Sequence, residues 1–204
     1  IHGVLPLDDR GMQLFGSRFR KNSPHPEDRR YVYRPPMSPM PAQASGGVGG
    51  RNVDIVAKVT YKKGDEGVLY ASGTQNSGIS VFVQNGRLLL DYNAFGDHTI
   101  IESAGLVPEG DHELRAVLRR GDGMSGYLEV TIDGVSGGSA EVSLYMRMIS
   151  SVGPSVGFDH GSPISTRYSA PYAYTGELHE IIIESGPRRV DTAKAEAQAE
   201  MNRQ

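Results

Sequence analysis

Between residues 53 and 185 the chain alternates apolar and polar positions. Val53, Ile55, Ala57, Val59 and Tyr61 are interleaved with Asp54, Lys58 and Thr60. That period of two sends alternate side chains to opposite faces of an extended strand, one face buried and one wet. Further strand-like runs are Gly67–Ala71, Ile79–Gln84, Arg87–Tyr92, His98–Ser103, His112–Arg119, Gly126–Ile132, Ser139–Leu144 and Gly176–Glu184. Asn85-Gly86 joins Ile79–Gln84 to Arg87–Tyr92, and Asp133-Gly134 follows Tyr127–Ile132. Both dipeptides predict tight hairpins, because a primed turn needs positive φ at its two central residues. No run among these repeats at helical spacing. Short strands punctuated by Gly, Pro, Asp and Asn predict an all-β fold, an antiparallel two-sheet β-sandwich or jelly roll.

The ends of the chain read differently. Residues 1–50 hold Pro24 and Pro26, then Pro35, Pro36, Pro39 and Pro41. Proline removes a backbone donor and pushes its predecessor toward extended geometry, so this segment is expected to be irregular. It also carries Val4, Leu5, Leu7, Met12, Leu14, Phe15, Tyr31, Val32 and Tyr33, too many apolar side chains for a solvated linker. Those side chains need a surface to pack on. The glycine-rich run Ala44–Gly50 reads as a flexible joint. The sandwich is placed at 51–187. In 188–204, Asp191 or Thr192 caps a possible short helix through Ala193–Ala199, whose only large apolar residue is Met201. This stretch is read as a helical or disordered tail.

Composition narrows the classes of function. The 204 residues carry 21 Lys+Arg against 24 Asp+Glu, a net charge of −3, which argues against a nucleic-acid partner. The absence of cysteine removes disulfides, thiolate metal sites and cysteine nucleophiles, but leaves the compartment open between cytoplasm and export. No run approaches the length of a membrane-spanning helix. The chain opens at Ile1 with no signal-like pattern, and is expected to be a piece of something longer.

Candidate chemistry is sparse. The six histidines His2, His25, His98, His112, His160 and His179 show no zinc-binding spacing, and are read as scattered surface or strand-end residues. In Gly176–Glu184, alternation puts Glu177 and His179 on one face with Ile181 and Ile183, and Glu180 and Glu184 on the other. That does not match the closely paired carboxylates of a sandwich glycosidase. Ser162 and Ser165 lie near Asp159 and His160, without the strained elbow a serine nucleophile needs. Asp159, in the loop Gly157–Pro163, is a candidate calcium ligand through its carboxylate and neighbouring carbonyls. Tyr168, Tyr172 and Tyr174 cluster before the last strand, and are the available aromatic platforms for a sugar.

Several stretches also resemble a known family. Gly3-Val4-Leu5-Pro6-Leu7-Asp8-Asp9-Arg10 resembles the segment that closes the catalytic portion of bacterial arylsulfatases. Tyr31-Val32-Tyr33-Arg34-Pro35 resembles that family's passage into its C-terminal region. Glu66–Leu69, Leu89–Asn93, Val130–Gly134, Val156–Ser165 and Tyr174–Leu178 are similar to the region's own pattern. Order and spacing together, from Gly3 to about Ser185, carry the resemblance. The domain-level pattern is similar to a concanavalin A or laminin-G type jelly roll.

The resemblance implies a parent that hydrolyses sulfate esters with a formylglycine and a bound calcium, both upstream of Ile1. This chain would then be the non-catalytic C-terminal region, inactive alone and without a cofactor of its own. Leu5, Leu7, Asp8, Asp9, Arg10, Phe15, Tyr31 and Tyr33 would dock on the upstream catalytic domain. Ser185-Gly186-Pro187-Arg188-Arg189 satisfies the family's C/S-x-P-x-R pattern on paper. It follows the last predicted strand and lacks the family's continuation, so it is read as chance. The alternative function is a carbohydrate-binding module, or one that forms homo-oligomers through a sheet edge or face.

Overall fold

A computed structural model describes residues 29–42, 45–146, 149 and 152–186. It contains eleven strands: β1 Arg29–Tyr33, β2 Val53–Tyr61, β3 Gly67–Thr74, β4 Ser77–Gln84, β5 Arg87–Ala94, β6 Asp97–Glu102, β7 Gly110–Arg120, β8 Gly126–Ile132, β9 Val135–Val142, β10 Pro154–Val156 and β11 Glu177–Ser185. They form two antiparallel sheets, one of six strands in the order β1-β11-β2-β7-β8-β9 and one of five in the order β10-β3-β4-β5-β6. The protein is an all-β, two-sheet sandwich.

The inward faces follow the alternation. Val53, Ile55, Ala57, Val59 and Tyr61 of β2 meet Tyr70, Val81 and Leu90 of the opposite sheet in one core. Fully buried Leu, Ile and Val side chains each contribute roughly 1.5–3 kcal/mol. Strands β4 and β5 break the alternation. Six consecutive residues are buried in each, from Gly78 to Val83 and from Leu88 to Asn93. A strand reads as buried on both faces when something covers its second face. Here the segment 157–175 covers the outer side of the five-stranded sheet. Ile164 packs there with Val68, Ala71, Phe82 and Leu89 in a second apolar cluster, flanked by Tyr168 and Tyr172.

The sheets draw together where β6 passes β9. The Ala104 N–H donates to the Gly137 carbonyl at 2.6 Å, and a Cβ at Gly138 would lie 2.7 Å from the Glu102 carbonyl oxygen. Only glycine permits that approach.

Two parts of the segment before residue 53 differ from expectation. Arg29–Tyr33 is not irregular; it is edge strand β1, paired along its length with Ile181–Ser185 of β11. Its local signal is weak, and its hydrogen bonds come from a strand about 150 residues away. Tyr31 and Tyr33, two of the expected docking residues, both pack on this sandwich. Tyr33 is a core residue, and Tyr31 packs beside it with ring centroids 6.4 Å apart. Gly46–Gly50 is not an open joint. Val48 is buried, the Gly46 N–H donates to the Tyr33 hydroxyl at 2.8 Å, and the Gly50 N–H donates to the Met146 carbonyl at 3.0 Å. Gly46 admits an aromatic ring: a Cβ there would sit 2.8 Å from the Tyr31 ring.

Other differences are smaller. Strand β9 begins at Val135, directly after its turn, and the short β10 carried no sequence signal. Leu5, Leu7, Asp8, Asp9, Arg10, Phe15 and the expected tail 188–204 lie outside the described residues.

Candidate functional sites

The outer face of the five-stranded sheet carries the predicted tyrosines. The turn of chain at 170–173 is tied to β3. The Val68 N–H donates to the Tyr172 carbonyl at 2.9 Å, and Tyr172 itself has φ +36°. This holds the Tyr172 ring on that of Tyr168, with centroids 5.1 Å apart and planes at 20°. Tyr168 in turn meets the edge of Phe82 from β4 at 5.2 Å. Offset stacked and edge-on pairs of this kind are favourable arrangements of ring quadrupoles.

The hydroxyls have separate fates. Tyr168 donates to Asp159 Oδ2 at 2.8 Å and lies 2.8 Å from the Ser80 hydroxyl. Burial is the main cause of its raised pKa. Tyr172 donates to Glu66 Oε2 at 3.0 Å, and burial followed by the Glu66 carboxylate pushes its pKa up to about 12. Both phenols stay neutral at ordinary pH. Tyr174 does not join the pair: its hydroxyl is buried and without a hydrogen-bond partner. Of the three predicted platforms, Tyr172 presents the ring, Tyr168 underlies it, and Tyr174 stands apart.

Around Tyr172 runs a polar rim. Gln84 donates through Nε2 to the Arg167 carbonyl at 3.0 Å, and the Arg167 side chain returns a bond to Gln84 Oε1 at 3.3 Å. Arg167 also pairs with Glu102 at 3.3 Å, which pairs with Arg87 at 3.3 Å.

Asp159, the candidate calcium ligand, is 1% exposed and turned into its own loop. Its Oδ2 accepts from the Ile164 N–H at 3.0 Å and from Tyr168, and its Oδ1 faces the Gly161 N–H at 3.5 Å. The carboxylate folds its own loop. Among the described residues no group of three or more His, Asp or Glu is placed to share a metal ion.

The serines show no nucleophile geometry. Ser162 Oγ accepts from the Gln75 N–H, Ser165 Oγ accepts from the Arg167 N–H, and His160 is exposed. Asp91, which sequence reasoning missed, is the charged centre of this face. It is fully buried, with His98 Nδ1 at 3.0 and 3.1 Å and Ser165 also bonded to it. Burial raises its pKa against those hydrogen bonds. A lone acid inside Leu88–Tyr92, an otherwise apolar run, was its available signal.

On the six-stranded sheet Ile181 and Ile183 face the core, with Glu180 and Glu184 on the other face as expected, but a bulge between Leu178 and Glu180 takes Glu177 and His179 off the Ile181–Ile183 face. Leu178 packs toward the core with Ile181 and Ile183. His179 lies 2.8 Å from Thr60 Oγ1, and Glu180 pairs with Lys58 at 2.9 Å and Arg34 at 3.2 Å. His112 meets Asp133 at 2.7 Å.

A second feature lies at the end of the sandwich that holds the β5–β6 turn. Phe95 is 73% exposed with φ +59°, and Met124 is 69% exposed on the β7–β8 loop. Between them, with Arg120, Gly123, Leu144, Tyr145 and Met146, is a cleft of about 300 Å³.

No protein-family model and no curated protein matches the sequence. The fold is similar to solved structures at low identity. One is the NanB sialidase from Streptococcus pneumoniae, with TM-score 0.53 and 14% identity over 81% of this chain and 27% of that one. Its K499G mutant aligns with TM-score 0.54 and 14% identity over 80% and 27%. Domains LG4-5 of the mouse laminin α1 chain align with TM-score 0.47 and 16% identity over 78% and 39%. The chain thus spans about a quarter of NanB.

Proposed function

We propose that this domain is a non-catalytic carbohydrate-binding module whose sugar lies on Tyr172. The carrying observation is the stacked Tyr168–Tyr172 pair. Its lower ring is bonded to Asp159 and its upper ring to Glu66, so the platform is ordered before any ligand arrives. Preorganised aromatic surface binds at low entropic cost. Gln84 and Arg167 beside it supply an amide and a guanidinium for sugar hydroxyls or acidic substituents. Similarity to a sandwich within a larger sialidase supports a part played inside a longer protein. The test is a glycan array carrying neutral and sulfated sugars, followed by calorimetry on the sugars retained. Tyr172→Ala is expected to weaken binding roughly tenfold or more. Tyr168→Phe, which keeps the ring, is expected to bind. A wild-type chain silent across the array, or Tyr172→Ala binding as well as wild type, sinks this reading.

The sequence resemblance running from Gly3 to about Ser185 favours a second, compatible reading. The module would be the C-terminal region of an arylsulfatase, with the catalytic domain its partner in cis and calcium and formylglycine held there. The chain alone is then expected to leave aryl sulfates intact. Turnover lost on Ser185→Ala would reverse that expectation.

A further inference from the structure

The cleft between the β5–β6 turn and the β7–β8 loop is separate from the tyrosine platform and has a different chemistry. Phe95 occupies the first central position of a two-residue hairpin, where its φ of +59° suits Asn, Asp or Gly and disfavours a bulky side chain. The ring gains little packing in return, being 73% exposed. Strain held at an exposed aromatic points to a ring kept for contact with something else. Met124, 69% exposed, faces the same cleft from the opposite sheet.

The floor beneath them is fixed. Tyr145 stacks on Tyr92 with centroids 6.1 Å apart, donates its hydroxyl to the Arg51 carbonyl at 2.6 Å, and donates its N–H to the Met124 carbonyl at 2.5 Å. The Met146 N–H donates to the Tyr92 hydroxyl at 2.6 Å. The cleft therefore has a rigid aromatic base and two adaptable apolar walls, the usual division of labour in a small-ligand pocket. Among the described residues, Arg120 is the charged side chain that lines the cleft; its Nη2 lies 3.5 Å from the Gly123 carbonyl, which is not its sole interaction. Asp97 and Asp122 belong to the same two loops, but neither lines the cleft.

We propose that this cleft binds a small anionic amphiphile, an apolar chain or ring bearing one carboxylate. The apolar body lies between Phe95 and Met124 over Tyr145, and the carboxylate meets Arg120. A closed floor of this kind fits a discrete ligand better than a bilayer, which would need only the protruding tips.

The full chain is titrated calorimetrically with decanoate, with decanol as the neutral arm and phosphatidylglycerol vesicles as the membrane arm. Saturable decanoate binding is expected, tighter than decanol. Phe95→Asn, a residue suited to positive φ, should keep the fold and weaken decanoate roughly tenfold. Arg120→Gln should bring decanoate down to the level of decanol. Tyr172→Ala should leave decanoate binding unchanged, which separates this site from the sugar platform whatever becomes of that reading. Decanoate binding that survives Phe95→Asn, or vesicle binding without decanoate binding, overturns the proposal.

Discussion

The two ends of the sandwich use the same turn for different purposes. Asn85-Gly86 and Asp133-Gly134 close hairpins at one end, with φ of +52° and +73° and of +51° and +78°. Phe95-Gly96 closes a hairpin at the other end, with +59° and +91°. At the first end the leading residue suits the backbone and is hydrogen-bonded to a neighbouring segment. The Asn85 N–H donates to Glu66 Oε1 at 2.8 Å, and Asp133 accepts from the Glu113 N–H at 2.9 Å. At the second end a bulky ring stands where short polar side chains belong. Strand pairing on either side dictates the turn geometry: Ala94 pairs with Asp97 as Gln84 pairs with Arg87. The residue placed in the turn is left to answer to solvent or ligand. One end is built for stability, the other carries a strained aromatic beside a cleft.

The largest effect is expected from breaking the floor of the Phe95 end. A Cβ at Gly126 would lie 2.3 Å from the Tyr145 ring, so Gly126→Ala should cost about 3 kcal/mol in urea denaturation. Exchanging the turn residues comes next. Asn85→Phe should destabilise by about 1–2 kcal/mol, and Phe95→Asn should stabilise by about 1 kcal/mol. Equal, near-zero changes at both positions would remove the contrast between the ends.

The smallest effect is the share of the pH dependence that belongs to the first end. The Glu113 N–H, then His112, hold the Asp133 carboxyl below the usual carboxylate range. A depressed folded pKa contributes stability above the unfolded pKa of about 3.9 and loses it as pH falls through the lower folded value. Asp133 is half exposed, so the loss should stay under about 1 kcal/mol after solvent screening. Melts taken from about pH 6 down to about pH 2 should show a shallower loss of stability in Asp133→Asn than in wild type, the remaining slope coming from carboxylates such as Glu180, whose pKa is also lowered.

How far each feature was legible follows from where its cause lies. Val53–Tyr61 was readable to the residue, because burial of one face imprints a period of two on the sequence itself. Asn85-Gly86 and Asp133-Gly134 were readable because their side chains suit positive φ. Phe95-Gly96 was not, since phenylalanine gives no turn signal; only the pairing of β5 with β6 imposes it. β1 was hidden for the same reason, its ladder being supplied by β11. Tyr168, Tyr172 and Tyr174 were legible as a cluster. Which of them presents a ring depends on Asp159, on Ser80 of β4 and on Glu66 just before β3.

Alternation, turn residues and the lack of cysteine thus determined, within the sequence alone, an all-β sandwich without disulfides or thiolate chemistry. Those are local properties, set by each residue's own backbone preference and by one-sided burial. Tertiary structure alone decided that 157–175 covers the second face of a sheet, that Asp159 serves its own loop, that Tyr31 and Tyr33 belong to this core, and that Phe95 and Met124 share a cleft. Each of these depends on residues far apart in the chain meeting in space, and no local pattern records which ones meet.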